Sequence, residues 1–174
     1  MKKYLTITQD IIYSPCKLKT GGYLMKKVYA LILAVFLVVS FAYAQGQFGT
    51  AEEARALMNK AVTYLKANGN DKAFEAFNNK KGAFVNKDLY IFVLDLNGKI
   101  LSHGANEKLI GKDMMETKDK NGQLFVKKMI DLAKTKGKGE VEYYWDNPVT
   151  KQVALKVSLF EKVGDVIVAC GYYK

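Results

Sequence analysis

Hydrophobic and polar positions along this chain change period several times, and each change marks an element. Ala54, Leu57, Met58, Ala61 and Leu65 recur at three- and four-residue spacing, the pattern of an amphipathic helix. Thr50 and Glu53 ahead of them have the spacing of a capping box, in which hydroxyl and carboxylate satisfy free amides of the first turn. Asn68-Gly69-Asn70 stops this helix, and Asp71 is placed to cap a shorter one containing Ala73, Phe74 and Phe77, which ends over residues 78–82. Residues 89–94, Leu-Tyr-Ile-Phe-Val-Leu between Asp88 and Asp95, read as a strand. Asn97-Gly98 then predicts a hairpin, because both residues accept positive φ, and residues 99–103 return as its second strand. A charged loop over 107–119 and an Asn121-Gly122 turn lead to a third helix marked by Phe125, Met129, Ile130, Leu132 and Ala133. Three strands follow, over 140–145, 152–160 and 166–172. Val141, Tyr143 and Trp145 share one face of the first, and Ala154, Lys156, Ser158 and Phe160 one face of the second. Five strands joined mostly by hairpins predict an α+β domain: an antiparallel sheet with helices to one side.

Ahead of this domain lies an address. From Met25, two lysines are followed by an apolar run over 28–41 and by Ala42-Tyr43-Ala44, a small-x-small cleavage site. The run is short for a permanent span, which needs about twenty apolar residues. We therefore expect residues 25–44 to be a signal peptide cleaved after Ala44, leaving a domain over 45–174, periplasmic or secreted. An uncleaved segment would instead tether the domain to the membrane. Residues 1–24 precede an intact signal peptide, and the codons of Gly21-Gly22 can spell a ribosome-binding site just before Met25. Residues 1–24 are thus expected to be an untranslated upstream extension.

Charge and cysteine content narrow the field. The whole chain carries a formal +10, but six lysines and only Asp10 lie ahead of residue 28, so the remainder carries +5. Its lysines are scattered among Asp and Glu rather than clustered with arginine, which argues against a nucleic-acid partner. The Lys- and Gly-rich run over 134–139 lacks the strand-loop-helix context of a phosphate cradle. Cys16 falls in the front end, so the mature chain holds Cys170 alone, in an apolar strand where core is the expected role. One histidine and one distant cysteine assemble no metal site, and no cofactor motif is present. No catalytic constellation is visible either: no serine sits in a nucleophile-elbow context, and Glu140 and Glu142 lie on an outward strand face. An enzyme is not expected.

Several separated motifs, in order, carry a family likeness. They are DLYIFVLDLNGKILSHGANEKLIGKD over 88–113, VEYYWDNPVTK over 141–151, Lys156, and the ending VIVACGYYK over 166–174. Together they resemble the extracytoplasmic single-Cache sensor domains, relatives of the PAS fold, across nearly the whole mature chain. The resemblance implies a PAS-like five-stranded antiparallel sheet with an N-terminal helix and further helices packed on it. It implies a small ligand, often a short organic acid or amino acid, held between the sheet and the loop that crosses it. Such domains usually sit between two membrane spans of a chemoreceptor or histidine kinase; no second apolar run follows here, so a stand-alone, secreted form is expected. The family often carries a tyrosine three residues after the lysine, and Leu159 stands there, which removes one polar contact.

Six residues are candidates for the ligand site: His103, Lys156, Tyr143, Trp145, Tyr90 and Phe92. His103 matches the family's pocket histidine; an imidazole hydrogen-bonds a carboxylate and becomes charged if its pKa rises beside an anion. Its plain alternative is a structural histidine. Lys156, mid-strand among apolar neighbours, faces a desolvation cost that a bound anion or a nearby acid would offset; the alternative is a lysine snorkelling from an exposed face. Tyr143 and Trp145 match the family's aromatic pair before Asn147-Pro148, as walls or as ordinary core. Tyr90 and Phe92 share a strand face, with core the stronger role for Phe92. The resulting expectation is a sensor domain for a small anionic or amphoteric ligand, with a membrane receptor or kinase as a further partner. Two other readings stay open: an interaction module whose pocket is filled by its own side chains and which docks on a receptor, and a small secreted hydrolase.

Overall fold

The computed structural model of the chain describes residues 46–174. The upstream extension, the signal segment and its cleavage site lie outside the described residues. Helix α1 (Ala51–Asn68) opens with the expected capping box: the Glu53 amide donates to the Thr50 hydroxyl at 3.2 Å, and the Thr50 amide to the Glu53 carboxylate at 2.9 Å. Helix α2 (Asn70–Asn78) follows at once. Its N-cap is Gly69, without a side-chain cap, so Asp71 lies inside the first turn rather than at the cap. Then come β1 (Val85–Asn86), β2 (Leu89–Asp95), β3 (Ile100–His103), a 3-10 turn (Glu107–Leu109), α3 (Phe125–Lys136), β4 (Lys138–Asp146), β5 (Val153–Val163) and β6 (Val166–Tyr173). Among the described residues no helix is long and apolar enough to cross a membrane.

All strand pairs are antiparallel, in the order β1-β2-β6-β5-β4, with β3 also paired to β2. The sheet thus has six strands rather than the five expected; β1 is two residues long, too short to leave a periodic trace. The hairpin forms where Asn97-Gly98 predicts it, but only Gly98 takes a positive φ, of 93°. The turn is wound about Asp95 instead, whose carboxylate accepts the amides of Asn97 at 2.8 Å and Lys99 at 2.9 Å. A register shift between Val93 and Leu94 absorbs the mismatch.

Helices cover both faces of the sheet, which corrects the expectation of one covered side. α1 and α2 pack over Leu89, Ile91, Val93, Leu159, Val168 and Cys170. α3 covers the opposite face, over Phe92, Leu94, Val141, Phe160, Ile167 and Ala169. The continuous apolar runs of β2 and β6 already require this, since a strand with no polar alternation is buried on both sides. Cys170 is free and buried against the α1 side, and burial pushes its thiol up to about 12, so it stays a protonated core residue.

Candidate functional site

On the α3 face, four strands converge on one hollow. β2 contributes Tyr90 and Phe92, β3 ends on His103, β4 contributes Tyr143 and Trp145, and β5 contributes Lys156; Phe125 of α3 and Leu109 and Met114 of the crossing loop close it. All six residues singled out in the sequence line it. The hollow is tight. The centre of a water molecule can occupy about 20 Å³ of it, little more than one water needs. Tyr90, His103, Leu109 and Trp145 also form the floor of a wider outer bowl, with about 500 Å³ on the same measure, rimmed by Asn106, Asp146, Asn147, Pro148 and Lys151.

Lys156 is fully buried at the bottom of the hollow. Its Nζ donates to the Tyr90 hydroxyl at 2.7 Å and lies 4.0 Å from the centre of the Tyr90 ring and 5.2 Å from that of Phe92. These faces are electron-rich and favour a cation. Burial still wins, drawing the ammonium down to about 7 against the smaller opposing influence of Cys170 and Asp88. Space for the lysine stem comes from Gly171 on the neighbouring strand: a Cβ there would overlap Lys156 Cε and stand 2.5 Å from Ser158 Oγ.

His103 stacks beside the same group, its ring 4.8 Å from Tyr90 and 6.0 Å from Phe92. Its Nδ1 accepts the amides of Asn106 at 3.0 Å and Ala105 at 3.3 Å. An accepting Nδ1 places the proton of the neutral ring on Nε2, which has no partner among the described residues and is left as a donor. Burial, and then the charge of Lys156, hold this imidazole down at about 3. In the unliganded protein it is therefore a neutral donor; the rise in pKa considered from the sequence requires an anion beside it.

Tyr143 stacks on Phe125 with centroids 4.1 Å apart, and Trp145 meets both rings edge-on. The Tyr143 hydroxyl shares a hydrogen bond of 2.9 Å with Ser158 Oγ, and its ring forms a wall of the hollow. Leu159 points to the α1 side, as a residue three places from Lys156 on a strand has to, so the polar contact its position lacks would not have reached this hollow.

Two supports went unread in the sequence. Asn78, the last residue of α2, accepts the Ser102 hydroxyl at 2.8 Å and the His103 amide at 2.9 Å, fixing the strand end that carries the histidine. Asp88, fully buried, accepts the Gly49 amide at 2.7 Å and the Asn147 side-chain amide at 2.9 Å; Asn147 in turn accepts the amides of Val149 and Thr150. This latch holds the β4–β5 turn that rims the outer bowl. Among the described residues no group of three or more His, Cys, Asp or Glu is placed to hold a metal ion.

A six-stranded antiparallel sheet with paired helices on one face and a pocket on the other is a PAS-like fold. The chain belongs to the Single Cache domain 2 family, which it matches over residues 24–174. It is similar in structure to a methyl-accepting chemotaxis protein from Vibrio parahaemolyticus, with a TM-score of 0.61 and 26% identity over 70% of this chain and 86% of that one. It also shares the fold of a structure described as the basis for carboxylic acid recognition by a Cache chemosensory domain, with a TM-score of 0.55 and 22% identity, covering 78% of this chain and 95% of that one. In sequence, 83 residues are 32% identical to the methyl-accepting chemotaxis protein McpP of Pseudomonas putida, which is 46% of this chain and 15% of that receptor's length. The domain is thus a Cache sensor domain of the kind carried by chemoreceptors.

Proposed function

We propose that this chain is an extracytoplasmic sensor domain that binds a small organic acid or an amino-acid-like ligand, with its anionic group at Lys156 and His103. The observation that carries this is a fully buried lysine, held by one neutral hydroxyl, in the same hollow as an imidazole with an uncommitted donor. Tyr90, Phe92, Tyr143 and Trp145 shape the walls, and the outer bowl receives whatever the ligand carries beyond its carboxylate. Residues 25–44 act as a signal peptide, placing the domain in the periplasm or outside the cell, where a membrane receptor or kinase is the expected listener.

The test is a thermal-shift screen with organic acids and amino acids, followed by calorimetry on the hits. Lys156→Met and His103→Ala should each weaken binding by at least about tenfold, the loss of one charge-assisted hydrogen bond. Hits that bind both variants as tightly as the parent would refute the placement of the site. One observation favours a second reading: the hollow holds only about one water. A flat response across the panel would make this a module that keeps the fold, fills its pocket with its own side chains and docks on a partner receptor.

A further inference from the structure

A buried ammonium ordinarily keeps its charge by pairing with a carboxylate. Lys156 has no such partner: the ion pairs among the described residues, Lys66–Glu161, Lys80–Glu107, Lys87–Glu53, Lys127–Asp131 and Lys174–Glu142, all join other groups. The groups that face it come from every neighbouring strand. β2 supplies the Tyr90 hydroxyl, β3 supplies His103, β4 supplies Tyr143, and β6 supplies Tyr173, its ring 5.3 Å from Nζ, while the Cys170 thiol of β6 acts on it from the opposite face of the sheet. Burial raises both the phenols and the thiol, and holds the imidazole down, so all of these stay neutral near pH 7. The one nearby acid is Asp88, whose oxygens accept the Gly49 amide and the Asn147 side chain and which makes no ion pair with Lys156. α3 brings Phe125 and Val126 to the hollow, with no charge.

The site therefore lacks one negative charge and the proton that would go with it. Resting on the acid-binding reading above, we propose that the hollow takes one carboxylate headgroup together with one proton, which Lys156 Nζ draws from solvent as the ion pair forms. The step balances: the amine lone pair takes the proton, the resulting ammonium pairs with the carboxylate, and no other bond changes. His103 donates from Nε2 and stays neutral in this step. The hollow holds a single cation and little open space, so a second carboxylate on the ligand has to remain in the outer bowl, on the side of Lys151.

Affinity for an acid then depends on pH in a defined direction. The free lysine titrates about 7, so above that the free site is increasingly an amine and Kd rises about tenfold per pH unit. Below about pH 6.5 the affinity is flat until the ligand's own carboxyl is protonated. The experiment is calorimetry of short straight-chain monocarboxylates and dicarboxylates in buffers of differing ionisation enthalpy, with a 13C NMR titration of Lys156 Cε in the free protein. We expect uptake of about one proton per bound acid at about pH 8.5, about a tenth of one at about pH 6, and a Lys156 midpoint about 7. Acid binding without proton uptake at the higher pH, or a Lys156 midpoint about 10, overturns the proton-linked proposal while leaving acid binding in place. No binding by any acid at any pH overturns both.

Discussion

Gly171 is where the pocket can be attacked without replacing a polar residue. It pairs with Ser158 across β5 and β6, and its bare α-carbon leaves the space through which the Lys156 stem passes. Gly171→Ala would place a Cβ against Lys156 Cε and 2.5 Å from Ser158 Oγ, closer than real Cβ contacts come, and a tight 3.1 Å from Lys156 Cγ. The atoms it meets are fully buried, so they cannot swing into water. Overpacking of this kind destabilises by about 1–3 kcal/mol. Displacing Nζ from the Tyr90 hydroxyl adds about 1 kcal/mol for the lost hydrogen bond. For a domain of this size that sum is a fall in melting temperature of about 6–15 °C. Thermal melts of Gly171→Ala should be read in two backgrounds, the parent and Lys156→Ala. Once the stem is gone, the added methyl enters vacated space, and its penalty should fall to less than about half, the Ser158 contact persisting. A Gly171→Ala protein that melts within about 1 °C of the parent, or that loses as much in the Lys156→Ala background, would refute the claim that this glycine exists to seat the lysine.

Asn147→Ala removes the one side-chain oxygen that accepts two amides of the β4–β5 turn and leaves Asp88 with an unpaired buried oxygen, so urea denaturation should show a loss of about 2–4 kcal/mol; a loss below about 0.5 kcal/mol would mean the latch is ornamental. His103 predicts an acid-side loss of stability. Folding lowers its pKa from 6.5 to about 3, so the unfolded chain takes up the proton first. The contribution is present above about pH 6.5 and drains away toward pH 3, at up to about 1.4 kcal/mol per pH unit. Melting temperatures of His103→Gln should therefore decline less steeply over that window, and parallel declines would assign the acid sensitivity to other groups.

The fold was legible wherever a local pattern decided it. The capping box at Thr50, the hairpin at Gly98 and the strand faces of Tyr143, Trp145 and Lys156 all follow from spacing, and each is present. Asn97 misled because its tolerance of positive φ is a permission, and the Asp95 carboxylate supplied a turn that did not need it. Hairpin connectivity says nothing of which faces are buried, whereas the unbroken apolar runs of β2 and β6 require cover on both sides. At the site, the six residues singled out by their chemistry line one hollow, but their charge states depend on burial, which no single sequence position reveals. The supports of the site were invisible for a plainer reason. Asp88 and Asn147 are 59 residues apart, Asn78 and His103 are 25 apart, and the role of Gly171 is an absence of atoms that has meaning only once Ser158 lies opposite.

The alternation along β2 gives the domain a mechanical property. Tyr90 and Phe92 floor the hollow, while Leu89, Ile91 and Val93, their immediate chain neighbours, carry the underside of the N-terminal helices. One rank of side chains faces the guest and the next faces the helical pair, with a single peptide plane between them. A molecule that wedges the aromatic floor apart therefore strains the same ribbon on which those helices rest, and the transmission length from chemistry to scaffold is the thickness of one pleat.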